Sequence, residues 1–544
     1  MKKDKVCGIL TLSFFNAFVY AVSHYLDWRK MYSCIKSSLL EGISTILINV
    51  EIDVSMGMPV FDMVGYLAPE VREAKERVKT SLHNCGIVLP AKRITVNMSP
   101  GNIRKKGTAF DLPIAVGLLC ALGIISQEKA DKYLFFGELN LNGDILPVKG
   151  ALPIVCDGVK NGIQSFILST GNEKEALLVE GADIIAFSNI SQMIDFFLTD
   201  TYEQKQSRSN EKLIEGSQRL RHLDFKEVNG QAYLKRACVI AASGMHNMLL
   251  IGPPGAGKTM IAERLSTILP SLTMDERLEL SKIYSVCGLL KDNILINERP
   301  FRNPHHTITK AGLIGGGANV SPGEISLAHN GVLFLDEFIE FQKPVIELLR
   351  EPLENKEINL VRGNNSAVYP SDFLLLAAMN PCNCGYYPDK NKCICSESDL
   401  RRYLGRISKP ILDRIDICIE AQQLKFANIQ RCDNNFSSAQ MKQQVECCFE
   451  IQKERYRNEE FCHNSQIPSS RLSEYCELSE TEQRFMEEIY DKYALTARTY
   501  HKILRVARTI ADLQEKKTIN HGHLVEAIRY RSIVNDKKYW GGLS

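Results

Sequence analysis

Residues Met248–Thr259 constrain this chain more than any other stretch. Met248-Leu-Leu-Ile251 reads as a buried strand, and Gly252-Pro253-Pro254-Gly255-Ala256-Gly257-Lys258-Thr259 has the spacing Gly-x4-Gly-Lys-Thr. Ile261, Leu265, Ile268 and Leu269 then recur on one helical face as far as Pro270. A glycine loop between strand and helix is the setting in which this pattern cradles phosphate. Glycines let backbone N–H groups turn inward around phosphate oxygens, and the helix N-terminus adds positive potential. Lys258 reaches the β- and γ-phosphates of ATP, and the Thr259 hydroxyl ligates Mg²⁺. A bare Gly/Pro turn that happened to contain Lys-Thr would lack the flanking strand and helix.

A second apolar run, Gly331-Val-Leu-Phe-Leu-Asp336-Glu337, ends in two carboxylates. Asp336 is placed to hold Mg²⁺, and Glu337 to polarise an attacking water as general base. Many strands end in this way, but one lying 77 residues after Thr259 in the same chain is a specific signal. Phe373-Leu-Leu-Leu-Ala-Ala-Met-Asn380 is a third buried strand. Its terminal amide either orients water against the γ-phosphate or caps the chain before Pro381.

The chain has 544 residues, enough for about three or four domains. Its net charge is +2, so any nucleic-acid contact must come from local patches. Seventeen scattered cysteines, an odd number, point to a reducing cytoplasm. Met1-Lys-Lys-Asp-Lys before the apolar run Val6–Val22 has the shape of a signal peptide or a short anchor. Ser13 and Asn16 break that run, and no small-residue cleavage site follows. The preferred reading is that translation begins at Met31 and that residues 1–30 are an extension or a mis-set start.

Residues 31–200 read as one α/β domain. Thr45–Val54 and Lys92–Asn97 are strand-like, and Pro69–Asn84 is an amphipathic helix with Val71, Ala74, Val78 and Leu82 on one face. Asp111–Leu122 is an apolar helix, and Leu134–Val148 is a hairpin turning at Asn142-Gly143. Several stretches here resemble the N-terminal domain of the ComM/YifB family of magnesium-chelatase-related ATPases. They are Val50-Glu-Ile-Asp-Val-Ser55, Ala91–Asn97, Gly107–Pro113, Phe136–Leu139 and Leu146–Gly150. The resemblance implies a Lon-protease-like (S5 domain 2-like) α+β fold. A Lon-type Ser nucleophile would fall near Ala109 and its Lys base near Pro153, and neither residue type is present there. Lys92-Arg93 with Arg104-Lys105-Lys106 is either a phosphate-contacting cluster or an ordinary solvated basic face.

The polar stretch 201–222 reads as a linker. From Asp224 the resemblance implies an AAA+ P-loop ATPase core (223–422) and a helical lid (423–544). The segment Asp224–Ala232 would lie against adenine, and Asn380 would be the sensor-1 residue. A glycine-rich insertion, 301–329, carries His305, His306 and His329. These are discounted as metal ligands, because adjacent histidines rarely converge and no Cys/Asp frame surrounds them. The resemblance implies a pore-facing insert there. Glu357–Pro370 reads as a hairpin around Gly-Asn-Asn, with Arg362 as its phosphate-contacting candidate or a solvated Arg.

Cys382, Cys384, Cys393 and Cys395 fall within 14 residues. Four thiolates are the structural Zn²⁺ formula, and free thiols on a surface loop are the alternative. Leu412-Asp413-Arg414-Ile415-Asp416 resembles the arginine-finger element of magnesium chelatase and replicative helicases. Arg414 would then reach a neighbour's γ-phosphate, unless it pairs in its own chain with Asp413 or Asp416. Arg498 would occupy the sensor-2 position. The implied protein is a cytoplasmic, ATP-promoted homo-hexamer, hydrolysing ATP to drive translocation or branch migration on DNA during uptake and recombination of transforming DNA. The alternative is a chelatase-type ATPase that remodels a protein partner. An ATP-dependent protease is opposed by the missing dyad.

Overall fold

The computed structural model describes residues 31–200, 223–290, 295–317, 320–362, 365–389, 391–422 and 436–535. The apolar run Val6–Val22, the stretch 201–222 and the turn residues Gly363 and Asn364 lie outside them. The chain divides into two units, Met1–Gly216 with Tyr284–Leu295, and Ser217–Ile283 with Ile296–Ser544. The described residues 284–290 group with the first unit. There the Ser285 carbonyl accepts from the Gly150 N–H at 3.2 Å.

The first unit holds a seven-stranded sheet. Its strands are β1 (Tyr32–Glu41), β2 (Ser44–Ser55), β3 (Val60–Val64), β4 (Arg93–Ser99), β5 (Tyr133–Phe135), β6 (Ser165–Ser169) and β7 (Asp183–Phe187), in the order β3-β4-β2-β1-β5-β6-β7. The β1/β2 and β2/β4 pairs are antiparallel, and the others are parallel. Period-two burial of Ile48, Val50, Ile52 and Val54 puts one face of β2 in the core. Helix α1 (Ala74–Asn84) buries Ala74, Val78 and Leu82 as expected. The helix read from Pro69 breaks at Glu73, however, which ends a short turn at Pro69–Arg72. Helix α2 (Asp111–Ala121) is buried along its whole length, which suits its almost entirely apolar sequence. The expected hairpin Leu134–Val148 is smaller than read. Only Glu138-Leu139 and Ile145-Leu146 pair, because Tyr133–Phe135 is drawn into the main sheet between β1 and β6.

The basic cluster is split, with Arg93 exposed on the surface and Lys105 buried. Lys105 is fully buried and donates to the Pro100 carbonyl. Arg93 pairs with Asp62 at 3.2 Å, and Arg104 lies over the Tyr66 ring. Ala109 packs in an apolar cluster with Ala151, Ile154 and Val155 of helix α3 (Ala151–Lys160), which also carries the buried Pro153.

The buried Asp111 carboxylate takes a two-pronged ion pair from Arg77, Nε at 2.7 Å and Nη2 at 2.9 Å, plus the Leu139 N–H at 3.2 Å. Burial pushes the carboxyl above its usual range, and Arg77 pulls it back. Arg77→Met is expected to strand that carboxylate and cost about 3 kcal/mol, read as a lower denaturant midpoint for this unit's transition.

The second unit is built on five parallel strands: β8 (Met248–Ile251), β9 (Phe301–Arg302), β10 (Val332–Leu335), β13 (Leu374–Met379) and β14 (Ile417–Glu420). Their order is β9-β10-β13-β8-β14, so the first strand of the unit lies between its fourth and fifth. β8, β10 and β13 are completely buried and read as unbroken apolar runs, as parallel strands covered on both faces must. Strands β11 (Glu357–Arg362) and β12 (Asn365–Pro370) form the separate hairpin expected from the sequence. Helices α4 (Ala232–Gly244), α5 (Lys258–Ile268), α6 (Glu397–Leu404), α7 (Ser438–Arg455), α8 (Ala497–Leu513) and α9 (His521–Asn535) complete the elements used below. One apolar core joins the sheet to α7, α8 and α9 through residues such as Val445, Ile503 and Leu524. Among the described residues no helix is long and apolar enough to cross a membrane.

Candidate nucleotide site

In a parallel sheet, ligands bind beyond the carboxyl ends of the strands, where the strand order reverses. Here β8, β10 and β13 end at Gly252, Asp336 and Asn380, and their register brings these ends together. Gly255 and Gly257 have φ of +76° and +80°, which an L side chain rarely adopts. Gly257 then caps α5, so Lys258 is its first residue.

The Lys258 ammonium donates to the Gly252 carbonyl at 2.7 Å, the Pro253 carbonyl at 3.1 Å and Asn380 Oδ1 at 3.0 Å. Burial pushes its pKa down, while Asp336 and Glu337 act against that shift. Thr259 Oγ1 donates to Asp336 Oδ2 at 2.8 Å, so hydroxyl and carboxylate stand side by side, two oxygen donors of the kind that would hold Mg²⁺. Asp336 Oδ1 accepts the Glu337 N–H at 2.9 Å. Glu337 has a left-handed backbone (φ +51°) and an exposed side chain, the freedom a general base needs to reach a water. Lys258, Thr259, Asp336, Glu337 and Asn380 thus stand in one place.

Two of three further neighbours, His306 and Tyr403, were not assigned to this site from sequence; the third, Gln231, lies in the segment Asp224–Ala232 expected against the nucleotide. His306 Nδ1 is 3.3 Å from Glu337 Oε2. The register explains it: Arg302 of β9 faces Leu333 of β10, and His306 and Glu337 each follow four residues later. Gln231 Nε2 donates to the Ala256 carbonyl at 2.9 Å, which lays the segment before α4 against the phosphate loop. Tyr403 of α6 donates its hydroxyl to the Asn380 carbonyl at 3.2 Å. No short-range pattern marks His306 or Tyr403.

The two distal arginines lie elsewhere. Arg414 donates to the Arg350 carbonyl at 3.3 Å and the Pro410 carbonyl at 2.6 Å, and pairs with Glu354 at 2.5 Å. The in-chain partner is therefore Glu354, not Asp413 or Asp416. Asp416 is instead buried against Lys502 and His246. Burial pushes its carboxyl up, but Lys502 and then His246 outweigh that and hold it well below the usual range. Arg498, at the start of α8, lines a cleft of about 570 Å³ together with Arg414, Lys502 and Arg505. The structure brings Arg414 and Arg498 to each other and does not bring either into hydrogen-bond contact with Lys258, Thr259 or Asn380.

The four cysteines converge. Cys382 Sγ is 3.3 Å from Cys384 Sγ and 3.8 Å from Cys393 Sγ, and Cys384 Sγ is 3.6 Å from Cys393 Sγ. All four ligand atoms, with Cys395, lie within 4.8 Å of one another. A tetrahedron with Zn–S bonds of about 2.3 Å has edges of about 3.8 Å, so the donor set fits that ion. His329 is committed differently, Nε2 to Glu279 Oε2 at 3.1 Å and Nδ1 to the Asp372 N–H at 3.1 Å.

Comparison with known proteins agrees with this geometry. Profiles described as magnesium chelatase subunit ChlI, subunit ChlI of Mg-chelatase, and magnesium chelatase subunit ChlI C-terminal match residues 224–429, 50–172 and 435–531. The competence protein ComM of Haemophilus influenzae is 38% identical over 500 residues, covering 91% of this chain and 96% of that one. The chain belongs to the ComM/YifB family of magnesium-chelatase-like AAA+ proteins. YifB of Escherichia coli, another member, is 37% identical over 493 residues, covering 90% of this chain and 95% of its own. The 38 kDa magnesium-chelatase subunit of Rhodobacter capsulatus matches more narrowly, 23% identical over 213 residues and 36% of this chain. Membership of this AAA+ family implies an ATPase using ATP and Mg²⁺.

Proposed function

We propose that this chain is a cytoplasmic ATP-hydrolysing motor that assembles as a homo-hexamer and moves single-stranded or branched DNA, in the uptake and recombination of transforming DNA. Lys258 and the loop Gly252–Gly257 bind the phosphates, Thr259 and Asp336 hold Mg²⁺, Glu337 activates water and Asn380 orients it. Arg414 reaches a neighbouring subunit's nucleotide as an arginine finger, and Arg498 takes the sensor-2 position. A structural Zn²⁺ sits on Cys382, Cys384, Cys393 and Cys395. The N-terminal domain is a Lon-like fold used for assembly or DNA contact rather than peptide cleavage, since apolar packing occupies the region around Ala109.

One observation carries the DNA reading. The hairpin β11–β12 presents an exposed Arg362 beside a largely exposed Val361, and its second strand leads directly into β13, which ends at Asn380. The Tyr369 hydroxyl donates to the Val320 carbonyl at 2.8 Å, tying the hairpin to the glycine-rich insertion. A tip that touches phosphates is thus joined through one short connection to the residue bonded to Lys258. The name of the competence protein from Haemophilus points the same way. A partner-protein remodeller has the narrower Rhodobacter match behind it.

The deciding measurement is ATP turnover with and without single-stranded and branched DNA, alongside mass in solution. DNA-stimulated turnover by ATP-dependent hexamers is expected; turnover indifferent to DNA would favour a protein partner. Mixing Arg414→Ala with Glu337→Gln subunits tests the shared site. Interfaces that pair an intact Arg414 with an intact Glu337 should recover a fraction of wild-type turnover, and verified mixed rings with none would place Arg414 outside the reaction.

A further inference from the structure

We infer that the four-cysteine centre is a brace for the phosphate site: the thiophilic divalent cation it takes holds Pro254 and Asn380 in place and so sets nucleotide affinity. This deepens the Zn²⁺ reading above and rests on it.

The chain path makes the connection. β13 ends at Met379, Asn380 follows, and Cys382 is two residues further on, buried and accepting the Tyr387 N–H at 3.4 Å. Gly385, directly after Cys384, has φ of +83° and lies so close to the phosphate loop that a Cβ there would sit 2.5 Å from Pro254 Cδ. Cys395 is followed at once by Ser396, which caps α6 with a reciprocal Ser396–Asp399 box. The last turn of α6 carries Tyr403, whose hydroxyl returns to the Asn380 carbonyl at 3.2 Å. The segment is therefore a closed circuit that starts and finishes at Asn380, with four converging sulfurs at its waist. Asn380 in turn accepts from Lys258 at 3.0 Å.

A cation on the four thiolates cross-links both ends of the loop and removes its conformational freedom. Without it the side chains protonate to separate thiols, nothing links them, and the loop loosens. Pro254 then loses its backing and Asn380 loses its anchor, so the phosphate loop has more order to gain on binding and affinity falls.

The test uses the full chain and a fluorescent N-methylanthraniloyl ATP analogue, with Mg²⁺ saturating throughout. Zinc content is measured, the ion is withdrawn with 1,10-phenanthroline, and Zn²⁺ is then added back. About one Zn²⁺ per chain is expected, with nucleotide affinity falling at least about tenfold on release and recovering on re-addition. Unchanged affinity at complete release would overturn the brace while leaving the metal reading intact. A chain that takes up no Zn²⁺ under any condition would overturn both. Failure to bind nucleotide with Zn²⁺ in place would sink the motor reading and the brace with it. Gly385→Ala guards against a misfolded cysteine variant, since it keeps all four thiolates but forces the loop off Pro254. It should retain its Zn²⁺ and bind nucleotide more weakly, and wild-type affinity in that variant would count against the brace.

Discussion

Lys258→Ala is expected to lower ATP affinity at least about 100-fold and to bring hydrolysis to background. Among the described residues the Lys258 ammonium is the one cation whose hydrogen bonds converge on the phosphate loop, at 2.7 and 3.1 Å from the carbonyls of Gly252 and Pro253. A charge-assisted bond to phosphate is worth roughly twice a neutral one, and each 1.4 kcal/mol is about tenfold in affinity. Two such bonds lost from a partly buried site account for the fall. The variant also removes the donor to Asn380 Oδ1, so that side-chain amide is released as well. Equilibrium binding of labelled ATP reads the first effect and steady-state phosphate release the second. Affinity within threefold of wild type would mean that the loop's N–H groups carry the binding without the lysine.

Glu337→Gln should separate binding from chemistry. Removing a general base costs about 10²- to 10⁴-fold in rate. The carboxylate takes no part in the hydrogen bonds around Lys258 or between Thr259 and Asp336, so ATP and Mg²⁺ should still bind. The amide is isosteric and keeps the contact available to His306, now 3.3 Å from Oε2. The expected product is protein arrested with ATP bound, seen as nucleotide retained after gel filtration. Turnover at the wild-type rate would remove Glu337 from the role of base and move attention to another carboxylate.

These two residues could be named from the sequence because their chemistry is local. A phosphate loop needs its glycines, lysine and threonine at fixed spacing, and the strand and helix around it are written in the adjacent periodicity. Asp336-Glu337 and Asn380 are legible for a related reason, since each ends an unbroken apolar run. The cysteine set was legible as a spacing, although its convergence within 4.8 Å is a property of the folded loop. The reading of Lys105 as part of a surface cluster failed, because charge pattern does not report burial, and in the fold this ammonium is capped by the Pro100 carbonyl.

The sequence by itself determined which groups gather at the candidate nucleotide site, because each group is announced by its own neighbours in the chain. Only the tertiary structure decided where they stand and what else stands with them. His306 meets Glu337 through the β9/β10 register, Arg414 finds Glu354 rather than its neighbouring aspartates, Arg498 shares a cleft with Arg414, and Gly385 lies against Pro254. Each pairing joins residues tens of positions apart through strand order and helix packing. Local periodicity carries the identity of an element, but the partners across elements follow from the whole arrangement of the sheet, which no single stretch encodes.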